Sequence, residues 1–463
     1  MDEQKVDVLI VGGGPGGTPA AMALAQAGKR VLLVEAGRGL GGTCLFEGCI
    51  PSKIFRETAA RRNALAHAAE FGLLTAGSAP AVDWAQVQAR KHAILSGRAQ
   101  GALAKAKTLP TLEVVFGRAR LTGPRSALVE STGQRRSVRF DAAILATGSV
   151  STRLSIPGAD GPGVLDSSSL IEIGFVPQSL ALIGGGPIGV EMAQIFSMLG
   201  SRVTLLEAAP RILGPVDAAL ADLLAQRLAA GGIDVHTGVA VQGIEGGEAM
   251  HIVRFSHGGQ LQQVQAQVVA IVAGRHPNVD GLGLETTRVL FDAHGVKVDA
   301  TLQTDEPGIY ATGDLVGQPM FAHWATAQAL SVARHLLGAP PDFPRPEHNS
   351  AVIFSSPELG MVGLTEDAAR ASGVDVAVAD YDYRGDARAQ ISGDPFGRLR
   401  LVWRRDDQRI VGVHVLVEGA ADLMGEAALA VRFGLTIDQL AAAIHPHPTL
   451  TEAFGLAAQT ARR

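Results

Sequence analysis

The chain has 463 residues, 47% hydrophobic and 18% charged, an ordinary composition for about three domains with large buried cores. Its 40 Lys and Arg against 45 Asp and Glu give a net charge of −5, which argues against a dedicated nucleic-acid or acidic-membrane binder because phosphate and anionic lipid attract basic patches. Two Cys exclude a disulfide scaffold, and 56 Gly exceed average use.

The first predicted element is a β-strand at residues 6–11, where an apolar run follows acidic residues and ends at three glycines. A secretory signal starts with basic residues and has a longer apolar core, so this run does not resemble one. The sequence also has no uncharged apolar stretch long enough to predict a transmembrane helix. We therefore expect a cytoplasmic enzyme, in which two Cys indicate redox chemistry or a buried pair.

This strand leads into a glycine turn, an Ala-rich helix to about Ala27, and a second strand at residues 31–34 that ends on Glu35. In such a G-x-G-x-x-G unit, Gly12 permits the tight turn, Gly14 lets the backbone approach a pyrophosphate and Gly17 lets the helix pack on the strand. The phosphates lie at the helix N-terminus, and the acid accepts hydrogen bonds from a ribose. The pattern predicts a dinucleotide site.

Cys44 and Cys49 follow in the segment Gly41–Lys53. In a regular helix, Cα atoms five residues apart are roughly 8–9 Å apart, whereas a disulfide needs about 4.4–6.8 Å. A bonded pair therefore requires a break in the helix, for which Gly48 supplies backbone freedom. Taken alone, this spacing is more typical of two buried thiols, but its place after a dinucleotide fingerprint favours a dithiol directed at a cofactor.

The middle of the chain divides into a helical and a mixed stretch. Residues 55–107 are rich in Ala, Arg and Gln and predict long amphipathic helices. Short β-like runs at residues 112–116 and 137–140 follow, and the stretch ends at Ala143–Gly148. Residues 151–178 carry several Gly and Pro and predict a linker.

A second fingerprint follows, with a strand at residues 180–183, a helix to about Leu199 and a strand at residues 203–206. Its first glycine and its acid are each displaced by 172 positions from those of the first copy, and two matches with equal internal spacing favour two dinucleotide sites. The residues of this copy are Gly184, Gly186, Gly189 and Glu207.

The second acid also bears on the choice of nicotinamide cofactor. A carboxylate at Glu207 would repel a 2′-phosphate, which favours NAD over NADP. Arg211 lies nearby and is able to meet a phosphate, although a solvated loop Arg is the simpler interpretation.

Near the C-terminus, Thr449 and Glu452 match a capping box for a helix over residues 453–460. Glu452 is then a helix-start residue, but a carboxylate fixed in this way can also hold the imidazole of His447. A His held by a carboxylate is a suitable base near pH 7, and a dithiol must lose a proton to become nucleophilic. The two interpretations are compatible.

Several of these motifs resemble those of the flavin-dependent pyridine nucleotide-disulfide oxidoreductases, and within that family those of the dihydrolipoamide dehydrogenases. The resemblance covers essentially the whole chain in the family's order. The segments that carry it, besides the two fingerprints, are Gly41–Lys53, Ala146–Gly148, Thr312–Asp314 and His445–Thr449.

The resemblance implies an α/β fold with two Rossmann-like domains, one for FAD and one for NAD, and a C-terminal α+β dimerisation domain. With the Pro-rich stretch 339–346, it predicts four segments. These are residues 1–150 with the FAD site and redox disulfide, 151–275 with the NAD site, 276–345 completing the FAD site, and 346–463 forming the interface.

The resemblance also implies roles for single residues. Cys49 matches the flavin-proximal sulfur, Cys44 the sulfur that exchanges with substrate, and Lys53 and Glu191 a pair near the reactive edge of the flavin. Asp314 matches an Asp that binds the ribityl chain, and the helix start after Met320 would face the flavin. The expected FAD contacts are Gly12, Gly14, Gly17, Glu35, Gly42, Thr43, Lys53, Thr147, Gly148, Asp314, Phe321, Ala322 and His323, and the expected NAD contacts are Gly184, Gly186, Gly189, Glu207 and Gly274.

By the same resemblance, the predicted activity is oxidation of dihydrolipoyl groups, most simply protein-bound, with reduction of NAD⁺. His447 would be the base and Glu452 its partner, and both would reach the active site of the other subunit of a homodimer. His445 is expected to have a local structural role, and the His447–Pro448 bond is a candidate cis peptide. No metal, nucleic acid or membrane insertion is predicted.

Three positions depart from the family's pattern: Phe46-Glu47 stand where Asn-Val is common, Trp324 where Lys is common, and Pro446 where Ala is usual. We expect these residues near the substrate entrance or the flavin. The disulfide partner can therefore differ from that of the dihydrolipoamide dehydrogenases, and one candidate is a lipoyl carrier outside the usual 2-oxoacid complexes. Glu207 disfavours glutathione-type reductases, and the lack of a second Cys pair disfavours mercuric reductase. A non-catalytic flavoprotein scaffold would be expected to lack one of the two Cys or the His, whereas Cys44, Cys49 and His447 are all present.

Overall fold

The computed structural model of the chain describes residues 3–74, 80–247, 249–340 and 342–462. Parts of five predictions lie outside the described residues. They are residues 1–2 of the first predicted segment, residues 75–79 within the predicted helical stretch, Glu248 in the predicted second segment, Pro341 in the Pro-rich stretch, and Arg463 at the end. None of the described helices combines the length and the apolar character needed to cross a membrane.

The first unit is built on a parallel sheet in the order β3-β2-β1-β5, extended beyond β5 by a later strand at Ile309–Ala311. Its central strands are apolar on both faces because one face packs against helices and the other against a second apolar cluster formed by strands and loops. The antiparallel strand β4 joins the far halves of β3 and β5. Its elements are β1 (Glu3–Val11), α1 (Thr18–Gln26), β2 (Val31–Glu35), α2 (Gly42–Phe46), α3 (Cys49–Ala66), α4 (Trp84–Lys107), β3 (Leu112–Gly123), β4 (Ser126–Ser131), β5 (Gln134–Leu145) and β6 (Ser149–Ser151), with a 3-10 helix at Ala68–Phe71.

The second unit is a parallel sheet in the order β10-β9-β8-β14-β7, with an antiparallel ribbon β11-β12-β13 beside it. Its elements are β7 (Val164–Asp166), α5 (Ser167–Ile171), β8 (Ser179–Ile183), α6 (Pro187–Leu199), β9 (Arg202–Leu206), α7 (Ala218–Ala230), β10 (Asp234–His236), β11 (Val239–Gly247), β12 (Met250–His257), β13 (Gln260–Ala266), β14 (Val268–Ile271) and β15 (Arg275–Pro277). The last strand pairs with β6 and connects the two units.

The prediction that residues 151–178 form only a linker is wrong. Residues Val164–Asp166 pair in parallel with β14 as the edge strand of the second sheet, and a capped helix follows them. A three-residue strand at a sheet edge carries too little hydrophobic periodicity to be recognised among Gly and Pro.

A connecting region completes the first sheet. Its strand β18 pairs in parallel with β5, although it lies far along the chain from the other strands of that sheet. The elements are β16 (Phe291–Asp292), β17 (Gly295–Val296), β18 (Ile309–Ala311) and α8 (Ala322–Leu336), with 3-10 helices at Leu284–Thr286 and Gly313–Val316.

The C-terminal unit is an antiparallel sheet in the order β19-β20-β23-β22-β21, and helices cover one face over a separate hydrophobic core. Its elements are β19 (Ser350–Ile353), β20 (Glu358–Gly363), α9 (Glu366–Ala371), β21 (Val376–Asp382), α10 (Ala387–Ile391), β22 (Arg398–Arg404), β23 (Ile410–Val417), α11 (Ala420–Arg432), α12 (Ile437–Ala442) and α13 (Glu452–Ala461), with 3-10 helices at Pro346–His348 and Tyr383–Gly385. The two parallel sheets and this third unit confirm the predicted fold class.

One arginine connects the second and C-terminal units. Arg400 on β22 is 13% exposed, and its Nη1 donates to both carboxylate oxygens of Asp217 at 2.8 Å. Asp217 caps helix α7 of the second unit. Arg400 also pairs with Glu366 at 3.1 Å and Asp380 at 3.0 Å, so one guanidinium neutralises three carboxylates.

Candidate active site

The first glycine turn joins β1 to α1 with distances that exclude side chains. Gly12 has a φ of +110°, and a Cβ there would lie 2.2 Å from the carbonyl oxygen of Ala146. A Cβ on Gly17 would lie 1.9 Å from the carbonyl oxygen of Gly12. By contrast, the nearest heavy atom to a Cβ on Gly14 is the Cα of Gly42 at 3.6 Å. The turn therefore packs tightly at its first and third glycines and stays open at the second, as a pyrophosphate requires.

The second glycine turn, between β8 and α6, repeats this arrangement. A Cβ on Gly184 would lie 2.7 Å from the carbonyl oxygen of Val272, and one on Gly189 would lie 1.9 Å from that of Gly184. Within the described residues, no heavy atom lies within 4 Å of a Cβ built on Gly186. Gly274 follows β14 with a φ of +105°. Both turns therefore fit a dinucleotide.

Each turn is held by a carboxylate at the end of the neighbouring strand. The Oε2 atom of Glu35 accepts a hydrogen bond from the N–H of Gly13 at 2.5 Å, and Oε1 accepts one from Gly37. The second unit repeats both bonds, with Glu207 accepting from Gly185 and Ala209. Each acid thus fixes the glycine turn of its unit.

A cavity of about 1990 Å³ extends from the first glycine turn to the cysteines and the N-terminus of α8. Gly17, which packs against Gly12, is not among the described residues that line this cavity. The predicted FAD contacts that line the cavity are Gly12, Gly14, Glu35, Gly42, Thr43, Lys53, Thr147, Gly148, Asp314, Phe321, Ala322 and His323. This continuous lining fits a dinucleotide as long as FAD.

Asp314 lies on the cavity wall within a hydrogen-bonded chain that the sequence did not indicate. Its Oδ2 accepts a hydrogen bond from Ser149 Oγ at 2.6 Å. Arg275 in turn donates from Nε to Ser149 Oγ at 2.8 Å and from Nη2 to Ser149 O at 2.7 Å. Ser149 and Arg275 lie on the paired strands β6 and β15, so the position of Asp314 depends on the junction of the two units.

The helix α8 begins at Ala322 beside the cavity, where its first N–H groups and its dipole favour negative charge. Phe321 and His323 stack with ring centroids 5.4 Å apart. Trp324 is 6% exposed and is not among the described residues that line the cavity. Its side chain is buried next to His323 and Ala325, which do line the cavity.

The cysteines lie at a break between two helices, as their spacing required. Cys44 is in α2, Cys49 begins α3, and Gly48 between the helices has a φ of −138° and a ψ of −102°. Both are thiols in the structure. The hydrogen bond between them, burial and the charge on Cys49 raise the pKa of Cys44, whereas the bond from Cys44 and the nearby Lys53 ammonium lower the pKa of Cys49 to about 7.

Lys53 lies one helical turn after Cys49 on the same face of α3. Its Nζ atom is 2.7 Å from Oε2 of Glu191, which α6 contributes and which is 8% exposed. The structure thus brings Cys44, Cys49, Lys53 and Glu191 together on the wall of one cavity.

Phe46 and Glu47, which depart from the family's pattern, also line the cavity. The guanidinium carbon of Arg38 lies 4.8 Å from the centroid of the Phe46 ring. Glu47 is exposed and accepts a hydrogen bond from Ser168 Oγ at 3.2 Å. The segment that joins the two cysteines in the chain therefore contributes an aromatic ring and a carboxylate to the cavity lining.

His447 and Glu452 form a pair away from this cavity. The Nδ1 atom of His447 lies 3.0 and 3.1 Å from the two carboxylate oxygens of Glu452, and the imidazole is 72% exposed. The backbone N–H of Thr449 and the His447 contact lower the pKa of Glu452, so it is ionised at neutral pH. His447 is absent from the described lining of the cysteine cavity, and a single chain does not bring the predicted base to the thiols.

The start of α13 differs from the predicted capping box. The helix begins at Glu452 with Thr451 at its N-cap, rather than with Thr449. Only the Glu half of the box is present, because Glu452 accepts from the N–H of Thr449 while Thr449 Oγ1 donates to Pro446 O. The helix spans Glu452–Ala461, one residue longer at each end than predicted, and the His447–Pro448 peptide is cis as expected.

His445 forms a second pair, with Nε2 2.8 Å from Oε1 of Glu426 on α11. Its side chain is 11% exposed and lies against Gly455, where a Cβ would be 3.1 Å from the ring. These contacts support the predicted local structural role. Pro446 is exposed between the two His residues.

Within the described ranges, no three His, Cys, Asp or Glu side chains come together in a way that could hold a metal ion. The residues that sequence reasoning missed are Ser149, Arg275 and Phe354, whose partners lie more than 120 positions away. No local spacing signals such contacts.

Comparisons with known proteins agree with this geometry. The chain matches the pyridine nucleotide-disulphide oxidoreductase family over residues 6–329 and its dimerisation domain over residues 349–458. It is 34% identical over 445 residues to a dihydrolipoyl dehydrogenase of Bacillus subtilis (strain 168), covering 96% of both chains. It is 35% identical over 463 residues to one of Thermus scotoductus, covering 98% of this chain and 96% of the other.

A solved structure is similar along its full length. The HOCl-induced flavoprotein disulfide reductase RclA from Escherichia coli, in a complex with Cu(II), superposes with a TM-score of 0.88 at 27% identity. The match covers 99% of this chain and 100% of that chain.

Proposed function

The chain belongs to the pyridine nucleotide-disulphide oxidoreductase family, and from that premise we propose that it oxidises dihydrolipoyl groups to the disulfide with reduction of NAD⁺. It is an enzyme whose family uses FAD and a pyridine nucleotide. The observation that carries the proposal is the Cys44–Cys49 pair on the same cavity wall as the Lys53–Glu191 ion pair. Relatives that bear the name dihydrolipoyl dehydrogenase match nearly the whole chain.

When bound, FAD and NAD⁺ supply the two-electron chemistry that removes reducing equivalents from the cysteine pair. The chain's own residues would hold them at two places. The first glycine turn, Glu35 and Asp314 line the cavity that would hold FAD, and the second glycine turn with Glu207 and Gly274 would hold NAD. The carboxylate of Glu207 favours NAD because it repels a 2′-phosphate.

The chain's chemical step is thiol–disulfide exchange. A thiolate of the dihydrolipoyl group attacks Cys44 Sγ of the oxidised pair, breaks the Cys44–Cys49 bond and leaves Cys49 as a thiolate. The second substrate thiol loses its proton and attacks the substrate sulfur of the mixed disulfide. The lipoyl disulfide leaves, and both cysteines remain reduced, with the ammonium of Lys53 beside the Cys49 thiolate.

His447 would take the proton from the substrate thiol. Glu452 orients its ring through Nδ1, which leaves Nε2 to act as the base. Because His447 is exposed and away from the cysteines of its own chain, it would serve the cysteines of the partner subunit. The dimerisation domain over residues 349–458 supports a homodimer of this kind.

The substrate group is proposed to be protein-bound. An exposed His447 reaching across a dimer would create an entrance between subunits, suited to a lipoyl group on a long side chain. Rates with free dihydrolipoamide, lipoyl carrier proteins and reduced glutathione, each with NAD⁺ and NADP⁺, test the proposal. Turnover of dihydrolipoyl substrates with NAD⁺ supports it, and turnover of glutathione alone contradicts it.

A second candidate is a disulfide reductase that acts on another small or protein disulfide. The observation that favours it is that Phe46 and Glu47, from the segment that joins the two cysteines, line the cavity, together with the likeness to a flavoprotein disulfide reductase. NADH-dependent reduction of a panel of disulfides distinguishes the two functions. Rates with non-lipoyl disulfides above those with lipoamide would favour the reductase.

A further inference from the structure

Phe354 lies at the point where the C-terminal unit meets the other two units. It directly follows β19 and lines the cavity that contains the cysteines. Its backbone N–H donates a hydrogen bond to Oε1 of Glu191 at 2.9 Å. The other carboxylate oxygen of Glu191 binds Lys53, so the C-terminal unit fixes one side of this ion pair.

The ring of Phe354 fixes the other side. The Lys53 ammonium lies 4.5 Å from the ring centroid, within the distance at which a cation is attracted to an aromatic face. Arg56, one turn further along α3, has its guanidinium carbon 6.0 Å from the same centroid. Arg56 is neutralised by Glu358 and Glu418, at 3.0 and 2.9 Å.

The loop that carries Phe354 is held independently of the ring. Gln194 on α6 donates to Ser356 O at 2.6 Å and accepts from Ser356 N at 2.8 Å. Arg56 donates to Ser355 O at 3.1 Å. A substitution at Phe354 therefore removes the ring while these bonds keep the backbone and the bond to Glu191 in place.

We propose that Phe354 is a positioning residue that holds the Lys53 ammonium beside Cys49, with the aromatic face on one side of the ammonium and Glu191 on the other. This role rests on the proposed function in one respect, that Cys49 works as a thiolate. The charged or titratable groups that face Cys49 are Cys44 from α2, Lys53 on α3 and Glu191 from α6. Lys53 is the cation among them, so its position adds to the stabilisation of the thiolate by the hydrogen bond from Cys44.

The test measures the reactivity of Cys49 alone in the flavin-loaded dimer. Because the chain has two Cys, Cys44→Ser leaves Cys49 as the single thiol and keeps a hydroxyl donor beside it. In this background, the rate of iodoacetamide alkylation is followed against pH for the native ring, Phe354→Leu and Phe354→Tyr. We expect Phe354→Leu to raise the apparent pKa of Cys49 by about half a pH unit and Phe354→Tyr, which keeps the aromatic face, to leave it unchanged.

Lys53→Met provides the matched control. It should itself raise the apparent pKa of Cys49, and Phe354→Leu should add nothing in that background, because the ring acts through the ammonium. The proposal would be overturned if Phe354→Leu shifted the apparent pKa of Cys49 equally with and without Lys53. It would also be overturned if Phe354→Leu unfolded at the native temperature and caused no shift in that pKa. Equal shifts in Phe354→Leu and Phe354→Tyr would also overturn it. Alkylation needs no substrate, so its result does not depend on whether the enzyme oxidises dihydrolipoamide. A failure of the proposed function and a failure of this proposal can therefore be told apart.

Discussion

Glu35 and Glu207, which lie 172 residues apart, make the same pair of hydrogen bonds in the two parallel sheets. Each carboxylate accepts one bond from its glycine turn and one from the residue two positions after itself. The equivalence allows the two sites to be tested as a matched pair.

Replacing Glu207 by Ala should weaken the binding of NAD⁺ and leave the flavin bound. The loss of a charged hydrogen-bonding group should raise KM for NAD⁺ about 10- to 100-fold. The preference for NAD⁺ over NADP⁺ should become smaller, because the carboxylate that repels a 2′-phosphate is removed. Steady-state kinetics with both nucleotides measure this. The control is Glu35→Ala, which should instead lower flavin content; unchanged nucleotide preference in Glu207→Ala would contradict the assignment.

Cys44→Ser should abolish dihydrolipoamide oxidation, since no disulfide can form to accept the substrate thiolate. The flavin should stay bound because Cys44 contributes only one small side chain to a cavity of about 1990 Å³. The measurement is NADH formation together with the visible spectrum. If Cys44→Ser still formed NADH in a lipoamide-dependent reaction, the thiol–disulfide exchange at Cys44 would be contradicted.

Mixing inactive subunits tests whether His447 serves the partner's cysteines. A heterodimer of Cys44→Ser and His447→Gln subunits has one site with both defects and one with neither, so random reassociation of equal amounts should restore about a quarter of native activity. The assay is dihydrolipoamide turnover after dissociation and remixing. Each variant treated alone is the control, and no recovery from heterodimers that are shown to form would rule out a shared site.

The reduced cysteine pair should ionise near neutrality. With the pKa of Cys49 lowered to about 7, the thiolate is present above that pH and is lost as the pH falls through it. Alkylation of Cys49 in reduced native enzyme should therefore be about tenfold faster at about pH 8 than at about pH 6. Peptide mass spectrometry assigns the site. A Cys49 that reacts only above pH 9 would contradict the stabilisation by Cys44 and Lys53.

Arg400→Ala should destabilise the protein by about 3 kcal/mol, because it leaves the buried carboxylate of Asp217 without its cation. Asp217, its partner in the second unit, is 3% exposed. Denaturant unfolding of the flavin-loaded dimer measures the change.

The control is Arg404→Ala on the same strand. Its partners Asp406 and Asp407 are local and more exposed, and pairs of this kind contribute at most about 1 kcal/mol. Equal loss of stability in both variants would show that Arg400 does not hold the two units together.

Local patterns in the sequence predicted much of the fold and part of the site. The two glycine turns and the cysteine segment were recognisable because their constraints act within a few residues: a missing Cβ, a break in a helix, an acid at a strand end. The edge strand at Val164–Asp166 was missed because three residues carry almost no periodicity.

The rest of the site depends on contacts between distant parts of the chain. Ser149, Arg275 and Phe354 have ordinary surroundings in the sequence, and only the fold brings them to Asp314 and Glu191. The roles of Lys53 and Glu191 came from family resemblance, since a lone Lys and a helical Glu are usually solvated.

The strand Ile309–Ala311 has a consequence for biosynthesis. It is an edge strand of the first sheet, and Thr312 immediately after it donates to the carbonyl oxygen of Gly16. A nascent chain on the ribosome therefore cannot complete its first domain when the N-terminal residues emerge, although domains generally fold in the order of synthesis. The first sheet stays incomplete, and the cavity lacks the wall that contains Asp314, until the whole second unit has been translated, so the complete cavity forms late in synthesis.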